Sequence, residues 1–375
     1  MRWVFVALLL LHGAIHGMGA AKAFQWGELS ALRQPISRGM GVVWTGAGIL
    51  FMVAAGLVAA RSRVWWAPAA VAVVLSQWGI IASWSDARFG TLANLVIAAA
   101  AVYGFASLGP LGLRAGYERA VRARMAAPAP APDVATGVVT DAHLAHLPEP
   151  VQRYLRVTGV VGQPMIAHVR ARWRGRIRGG PDDPWMTFTA EQHNFPGEPA
   201  RFFFMDARRS GLPVDVFHAF EGNAATMRVR LASLVPMVSA SGAEITRAET
   251  VTLLNDWCLI APTALLDPAI RWEPIDARSA RARYTVGANT ITAVLWFNDA
   301  GELVNFTTDD RLAQAEGGAA WTRQPWSTPV GEYRHYGAWR LASRGEGRWH
   351  APGGVFAYIE MELLDVQVGQ TQDGR

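Results

Sequence analysis

Hydrophobic positions run almost unbroken four times within residues 1–113, and then their rhythm changes. The stretches 3–21, 40–60, 64–84 and 90–113 are each close to the roughly 20 residues that a helix, rising about 1.5 Å per residue, needs to cross the hydrocarbon of a bilayer. Gly41 to Ala60 is bounded by Arg38, Arg61 and Arg63. Val64 to Trp84 opens on Trp65-Trp66 and closes on Trp84-Ser85-Asp86, which puts Trp where membrane interfaces favour it. The run from Val4 is also compatible with a secretory signal, because Ala21-Lys22-Ala23 imitates a small-x-small cleavage site. A thin basic start at Arg2 and interruptions at His12 and His16 favour a retained helix.

From Arg114 to Arg124 the chain reads as a basic helical extension, followed by a Pro/Ala spacer at 126–132. Alternating Pro and Ala favour an extended, semi-stiff connection. Pro150 suits a first helical turn, Val151, Tyr154, Leu155 and Thr158 form a stripe, and Gly159 suits the C-terminal cap. Beyond Ile166 the period becomes two. Strands are expected at 168–178, 185–193, 201–208, 214–221, 225–231, 280–286, 290–298, 303–311, 331–338, 347–350 and 355–366, with a helix over 243–258.

These elements predict an α-helical transmembrane bundle of four helices (1–113), a basic and Pro/Ala-rich linker (114–133) and a soluble domain (134–375). The soluble domain should be α+β, with a large, curved, mostly antiparallel sheet. Seven basic residues (Arg2, Arg61, Arg63, Arg114, Arg119, Arg122, Arg124) fall on one side of the four crossings and four (Lys22, Arg33, Arg38, Arg88) on the other. That bias places both termini in the cytoplasm of a bacterial inner membrane.

Composition adds little to this division. Hydrophobic residues make up 51% and charged residues 17%, as in a part-membrane protein. A lone Cys258 excludes an intramolecular disulfide and cysteine-based metal clusters. The net charge of +5 comes almost wholly from Arg, with Lys22 the one lysine. Walker, HExxH and GxSxG patterns are missing, and no cofactor is expected.

Three groups of residues are candidates for function. Arg170, Arg172, Arg174, Arg176 and Arg178 alternate with Ala171, Trp173, Gly175 and Ile177. Extended, they share one face over about 26 Å. Such a ladder either pairs with carboxylates such as Glu191 across the sheet or meets anionic lipid headgroups or an acidic partner. His12 and His16, four apart, share a helix face. They either bond Ser76, Gln77 or Asn94 across the bundle, or ligate a metal or haem. Gly13 and Gly17 allow a close helix approach there, and Asp86 at a helix end lies near Arg88. Glu244 and Glu249 in the predicted helix are five apart and do not share a face, so charges in the soluble domain read as ion pairs bracing the sheet. The many aromatic residues form a core or line an apolar pocket.

The phrases HGMGAAKAF, QPISRGMG and SWSDARFGTLANL, with LPEPVQRYLRVTG, WCLIAPTALL and RWEPID, resemble an uncharacterised bacterial family with a β-rich domain sometimes preceded by four membrane helices. This resemblance implies no activity and no catalytic residues. YRHYGAWRLASRGEGRW is similar to the closing strands of lipoprotein-carrier-like curved sheets, which hold acyl chains. Such carriers work outside the cytoplasm, against the orientation derived above. The expected protein is therefore non-enzymatic. It is membrane-anchored and binds a lipid, another apolar ligand or a protein partner near the bilayer, and not nucleic acid. The competing expectation is a membrane redox or metal enzyme built on His12 and His16.

Overall fold

A computed structural model describes residues 2–27, 32–127, 137–314 and 321–369. The expected Pro/Ala spacer lies outside the described residues from Pro128 on, as does the domain boundary expected at 134. Two compact units divide the chain between Gly116 and Tyr117.

The first unit is helical: α1 (Arg2–Ala23), α2 (Arg38–Ala59), α3 (Trp66–Ala82), the single turn α4 (Trp84–Ala87) and α5 (Gly90–Leu108). Consecutive long helices pack on each other around Leu9, Ala47, Phe51, Ala54, Ala69 and Ile97. Small residues set the spacing. A Cβ on Gly13 would stand 3.1 Å from the Gly48 carbonyl and Phe51, so α1 and α2 touch through backbone there. Gly17 faces open space, and the expected glycine pair is thus used at one position only. Of the four expected crossings, three helices among the described residues are long and apolar enough: α1, α2 and the helix starting at Gly90. The third run is shorter. Ser83 leaves helical geometry and Trp84–Ala87 forms its own turn, so α3 keeps 17 residues, or roughly 25 Å. Asp86 does not pair with Arg88. Its carboxylate accepts the backbone N–H groups of Arg33 (2.6 Å) and Gln34 (2.8 Å), and the Gln34 bond foremost holds its pKa below the ordinary value.

α6 (Leu113–Ala126) carries the chain into the second unit, followed by α7 (Asp141–Leu144) and α8 (Glu149–Val157). α8 has Pro150 in its first turn and ends at Gly159, whose φ of +82° admits glycine readily. The strands are β1 (His168–Ile177), β2 (Met186–Phe195), β3 (Ala200–Arg209), β4 (Leu212–Glu221), β5 (Ala224–Leu231), β6 (Val235–Ser241), β7 (Ile270–Asp276), β8 (Ser279–Val286), β9 (Asn289–Phe297), β10 (Leu303–Thr308), β11 (Leu312–Gln314), β12 (Trp321–Arg323), β13 (Trp326–Ser327), β14 (Val330–Tyr336), β15 (Trp339–Ala351) and β16 (Gly354–Gly369). Between β6 and β7 lies α9 (Ala243–Ile260).

Fourteen strands form one antiparallel sheet in the order β6-β5-β4-β3-β2-β1-β16-β15-β13-β10-β9-β8-β7, with β14 on β15. Strand β1 closes against β16, joining His168 to Gly369. The two edge strands, β6 and β7, went unrecognised in the sequence, and each contains a proline, Pro236 and Pro274. Proline lacks a ladder donor and is tolerated where no further strand must pair. α9 contacts β5 and β6 from one half of the sheet and β9 and β15 from the other, so the sheet curves around it, and β11, paired only with β12, also packs on the helix. Accordingly α9 is buried on all sides, including Val251, Leu254, Trp257 and Cys258. Trp257 donates to the Tyr284 hydroxyl at 3.1 Å.

Candidate functional site

Strand alternation gives the sheet an inner face toward α9 and an outer face. On the inner face, Gln192 and Asn194 of β2, Arg201 of β3 and His218 of β4 lie side by side in register. Above them α9 supplies Glu249 and Asp256, seven residues apart and so on one side of the helix. The Arg201 guanidinium donates to Asp256 at 2.7 Å and to Glu249 at 3.2 Å, with its side chain 8% exposed. Asp256 also accepts from the amides of Gln192 (2.5 Å) and Asn194 (3.0 Å). His218 and Arg311 stand 3.7 and 3.6 Å from the other Glu249 oxygen, and Arg311 donates to the Ala248 carbonyl at 2.6 Å. Burial opposes ionisation of Glu249, yet His218, Arg311 and Arg201 together hold its pKa far below the carboxylate range. Burial pushes Asp256 the other way, against the pull of Arg201 and Asn194. The network ties α9 to the sheet. It also fills one end of the inner face with charge whose desolvation is compensated by pairing and hydrogen bonds.

Farther along the same strands the inner face turns apolar. Trp173, Phe188, Met205 and Val214 are buried, and beyond them Ile177, Val216, Val229, Leu231, Ile359 and Met361 are only partly covered. Register keeps these side chains on one surface: Val216 is opposite Val229, Val214 opposite Leu231, and Ile177 opposite Ile359. The result is an apolar shelf that continues the core outward.

The structure brings Arg170, Arg172, Arg174 and Arg176 of β1 together on the outer face, as their spacing requires, and Arg178 follows directly after the strand. Carboxylates of the neighbouring strands answer four of them: Arg170 bonds Glu191 at 2.8 Å, Arg172 lies 3.3 Å from Asp365, and Arg174 and Arg176 bond Glu362 and Glu360 at 2.7 Å each. Arg178 donates to the backbone carbonyls of Ala357 (2.9 Å) and Pro181 and lies over Trp185. Self-repulsion along the ladder is thus relieved from within the sheet, by the cross-strand pairing that the sequence left as one of two readings.

At one end of this ladder is an open depression of about 480 Å³ lined by Met125, His168, Arg170, Glu191, His193 and Gln367. His168 Nε2 and His193 Nδ1 are 2.8 Å apart, with ring centres 5.0 Å apart and planes 20° apart. The rings therefore meet nearly end to end, sharing one proton in an N–H···N bond. Glu191 lies 3.5 Å from His193 and accepts from Tyr117 at 3.2 Å. His193 foremost, with Arg170 and Tyr117, lowers the Glu191 pKa to about 2. Burial, with the charges of His193 and Arg170, lowers His168 to about 4. Among the described residues no group of three or more His, Cys, Asp or Glu is placed to hold a metal ion.

In the helical unit, His12 bonds Asn94 at 2.9 Å, and His16 reaches Ser76 at 2.8 Å and the His12 carbonyl at 2.7 Å. Asn94 in turn donates to Gln77 at 3.0 Å. Both imidazoles belong to a polar seam between α1, α3 and α5.

Sequence reasoning considered Glu249 only beside Glu244 and did not single out Asp256, Arg201 or Arg311. The available signal was the seven-residue spacing of two acids inside an apolar helix.

Residues 137–361, more than half of the chain, match DUF6544, a family of unknown function, and the chain belongs to that family. No curated protein matches the chain. Among solved structures it is similar to a LolA superfamily protein from Nitrosomonas europaea, at 10% identity over 60% of this chain and 94% of the other, with a TM-score of 0.35. It is also similar to a domain assigned to outer membrane lipoprotein sorting from Vibrio parahaemolyticus (10% identity, 55% and 87% covered, TM-score 0.33). A third similar structure is a DUF1329 family protein from Desulfovibrio piger (11% identity, 70% and 95% covered, TM-score 0.33).

Proposed function

We propose that this DUF6544 member is a membrane-anchored binding module that takes an apolar, acyl-bearing ligand along the inner face of its curved sheet. The observation that carries this reading is the half-covered shelf of Ile177, Val216, Val229, Leu231, Ile359 and Met361 beyond the end of the ionic network. A sheet that needed only a core would bury these side chains, and partly open apolar surface of this kind marks ligand or partner sites. α9 and its ion pairs fix the depth of the shelf. In this reading α1, α2, α3 and α5 anchor the chain in a bacterial inner membrane, with α3 crossing near the lower length limit. Both termini face the cytoplasm, and the arginine ladder of β1 stiffens the outer face.

The test is photo-crosslinking of the full-length protein in cells fed a diazirine-bearing fatty acid. Cross-linked peptides should map to β5 and β16 as well as to the helices, and the sheet adducts should disappear in Val229→Glu/Met361→Glu. Adducts confined to α1–α5 would remove the ligand-binding half of the proposal.

A further inference from the structure

Two neighbouring hairpin tips at one end of the sheet combine exposed apolar and basic side chains. The β3–β4 tip carries Arg208 and Arg209 before Ser210-Gly211, then Leu212. The β5–β6 tip carries Arg230 and Leu231 before Ala232-Ser233, then Leu234 and Val235. Leu212, Leu234, Val235 and the adjacent Met237 are each about half exposed (52%, 46%, 52% and 51%), a concentration of open aliphatic surface at one end of the sheet.

The tips are rigid. Both central residues of each tip have positive φ, 49° and 84° in one and 51° and 58° in the other, the tight form favoured by two-residue hairpins. Three of those four residues, Ser210, Ala232 and Ser233, are not glycine and hold this conformation at a cost. The tips are also fastened together: Ala232 N–H donates to the Pro213 carbonyl at 2.7 Å, and the Ser233 hydroxyl donates to Asp215 at 2.5 Å. Behind them, Arg228 lies over Phe217 beside Arg230 and Arg119. Burial and these two like charges lower its pKa.

Residues 117–126 of α6 lie across the same strands. Arg124 bonds Glu198 at the β2–β3 turn, whereas Tyr117 rests on Phe204 and Phe217 of β3 and β4. Leu231, at the foot of one tip, is also a shelf residue.

We propose that these two tips form a docking edge that inserts Leu212, Leu234, Val235 and Met237 into an anionic phospholipid bilayer while Arg208 and Arg209 meet its phosphates. Rigid apolar tips backed by cations fit an interface with hydrocarbon below and negative headgroups above. The inference rests on the anchored, ligand-binding reading and deepens it, since docking brings the mouth of the shelf to the lipid.

The test places an environment-sensitive fluorophore at Leu234→Cys in the full-length protein, reconstituted in phosphatidylglycerol nanodiscs with and without spin-labelled acyl chains. The native Cys258 is fully buried and stays unlabelled. The emission should shift to the blue and be quenched by the spin label. A probe at Ala224→Cys, at the opposite end of β4 and β5, should do neither. Arg208→Glu/Arg209→Glu should abolish the quenching at 234. A water-like probe at 234 overturns the proposal, and so does a blue-shifted probe that spin-labelled lipid cannot quench, which would signify a protein cover. If the chain does not enter nanodiscs, the anchoring reading fails. The docking edge is then decided by sedimentation of the same protein with phosphatidylglycerol vesicles, which must be lost in Arg208→Glu/Arg209→Glu.

Discussion

The helical unit and the sheet unit bury polar groups of opposite kinds. Between α1, α3 and α5 the buried set is imidazole, hydroxyl and amide: His12, His16, Ser76 and Asn94. Between α9 and the sheet it is guanidinium and carboxylate: Arg201, Glu249 and Asp256. Their surfaces are opposed as well. Val4, Leu11, Val42, Val74 and Leu95 stand exposed on the helices, whereas the outer face of β1 exposes ion-paired arginines. In the anchored reading proposed above the helical unit faces hydrocarbon, with no surrounding water to share the burden of an unmatched charge, so dipolar groups serve it best. In the same reading the sheet unit faces water and can enclose ions, provided that each has its counter-ion and donors.

The contrast breaks most directly at Arg201. Arg201→Met leaves Glu249 and Asp256 without their shared cation and should cost about 3–5 kcal/mol. Labelling of Cys258 during denaturant titration of the full-length chain measures this, because the thiol sits in α9 and is fully buried. Replacing all three, Arg201→Met/Glu249→Leu/Asp256→Leu, should recover much of the loss. If it does not, the network does more than compensate its own burial. The helical counterpart, Asn94→Ala, removes the partner of His12 and should cost less, about 0.6–2 kcal/mol in an SDS titration followed by Trp fluorescence. A loss equal to that of Arg201→Met would erase the distinction between the two units. At the small end, Arg174→Ala opens an exposed pair with Glu362 and should leave the Cys258 labelling midpoint unchanged within error.

Much of the strand pattern was legible because alternation survives wherever one face is buried and the other wet, as along Val169, Ala171 and Trp173. It failed at both sheet edges. Val235–Ser241 and Ile270–Asp276 are largely exposed on both faces and each contains a proline, so neither periodicity nor propensity marks them. Arg170 to Arg176 share one face as their alternation requires, but the acids that answer them come from β2 and β16, and residue spacing within β1 carries no trace of those partners. The ionic network was hidden for the same reason. Arg201, His218, Glu249 and Arg311 meet only after β3, β4, α9 and the link between β10 and β11 have assembled. His12 and His16 were the easier case, since two polar groups in an apolar helix demand partners, and few polar side chains lie in the other helices to supply them.

The pairing of β1 with β16 sets a timetable for biogenesis. His168 finds Gly369 some 200 residues later in the chain. At about 5–20 residues per second of synthesis, the first strand waits roughly ten to forty seconds for its neighbour. Throughout that interval the apolar helices are already out of the ribosome while the seam at the middle of the sheet stands open. A nascent chain of this protein therefore spends its youth as an unsealed ribbon, and holding chaperones have their longest opportunity just before the C-terminal strand emerges.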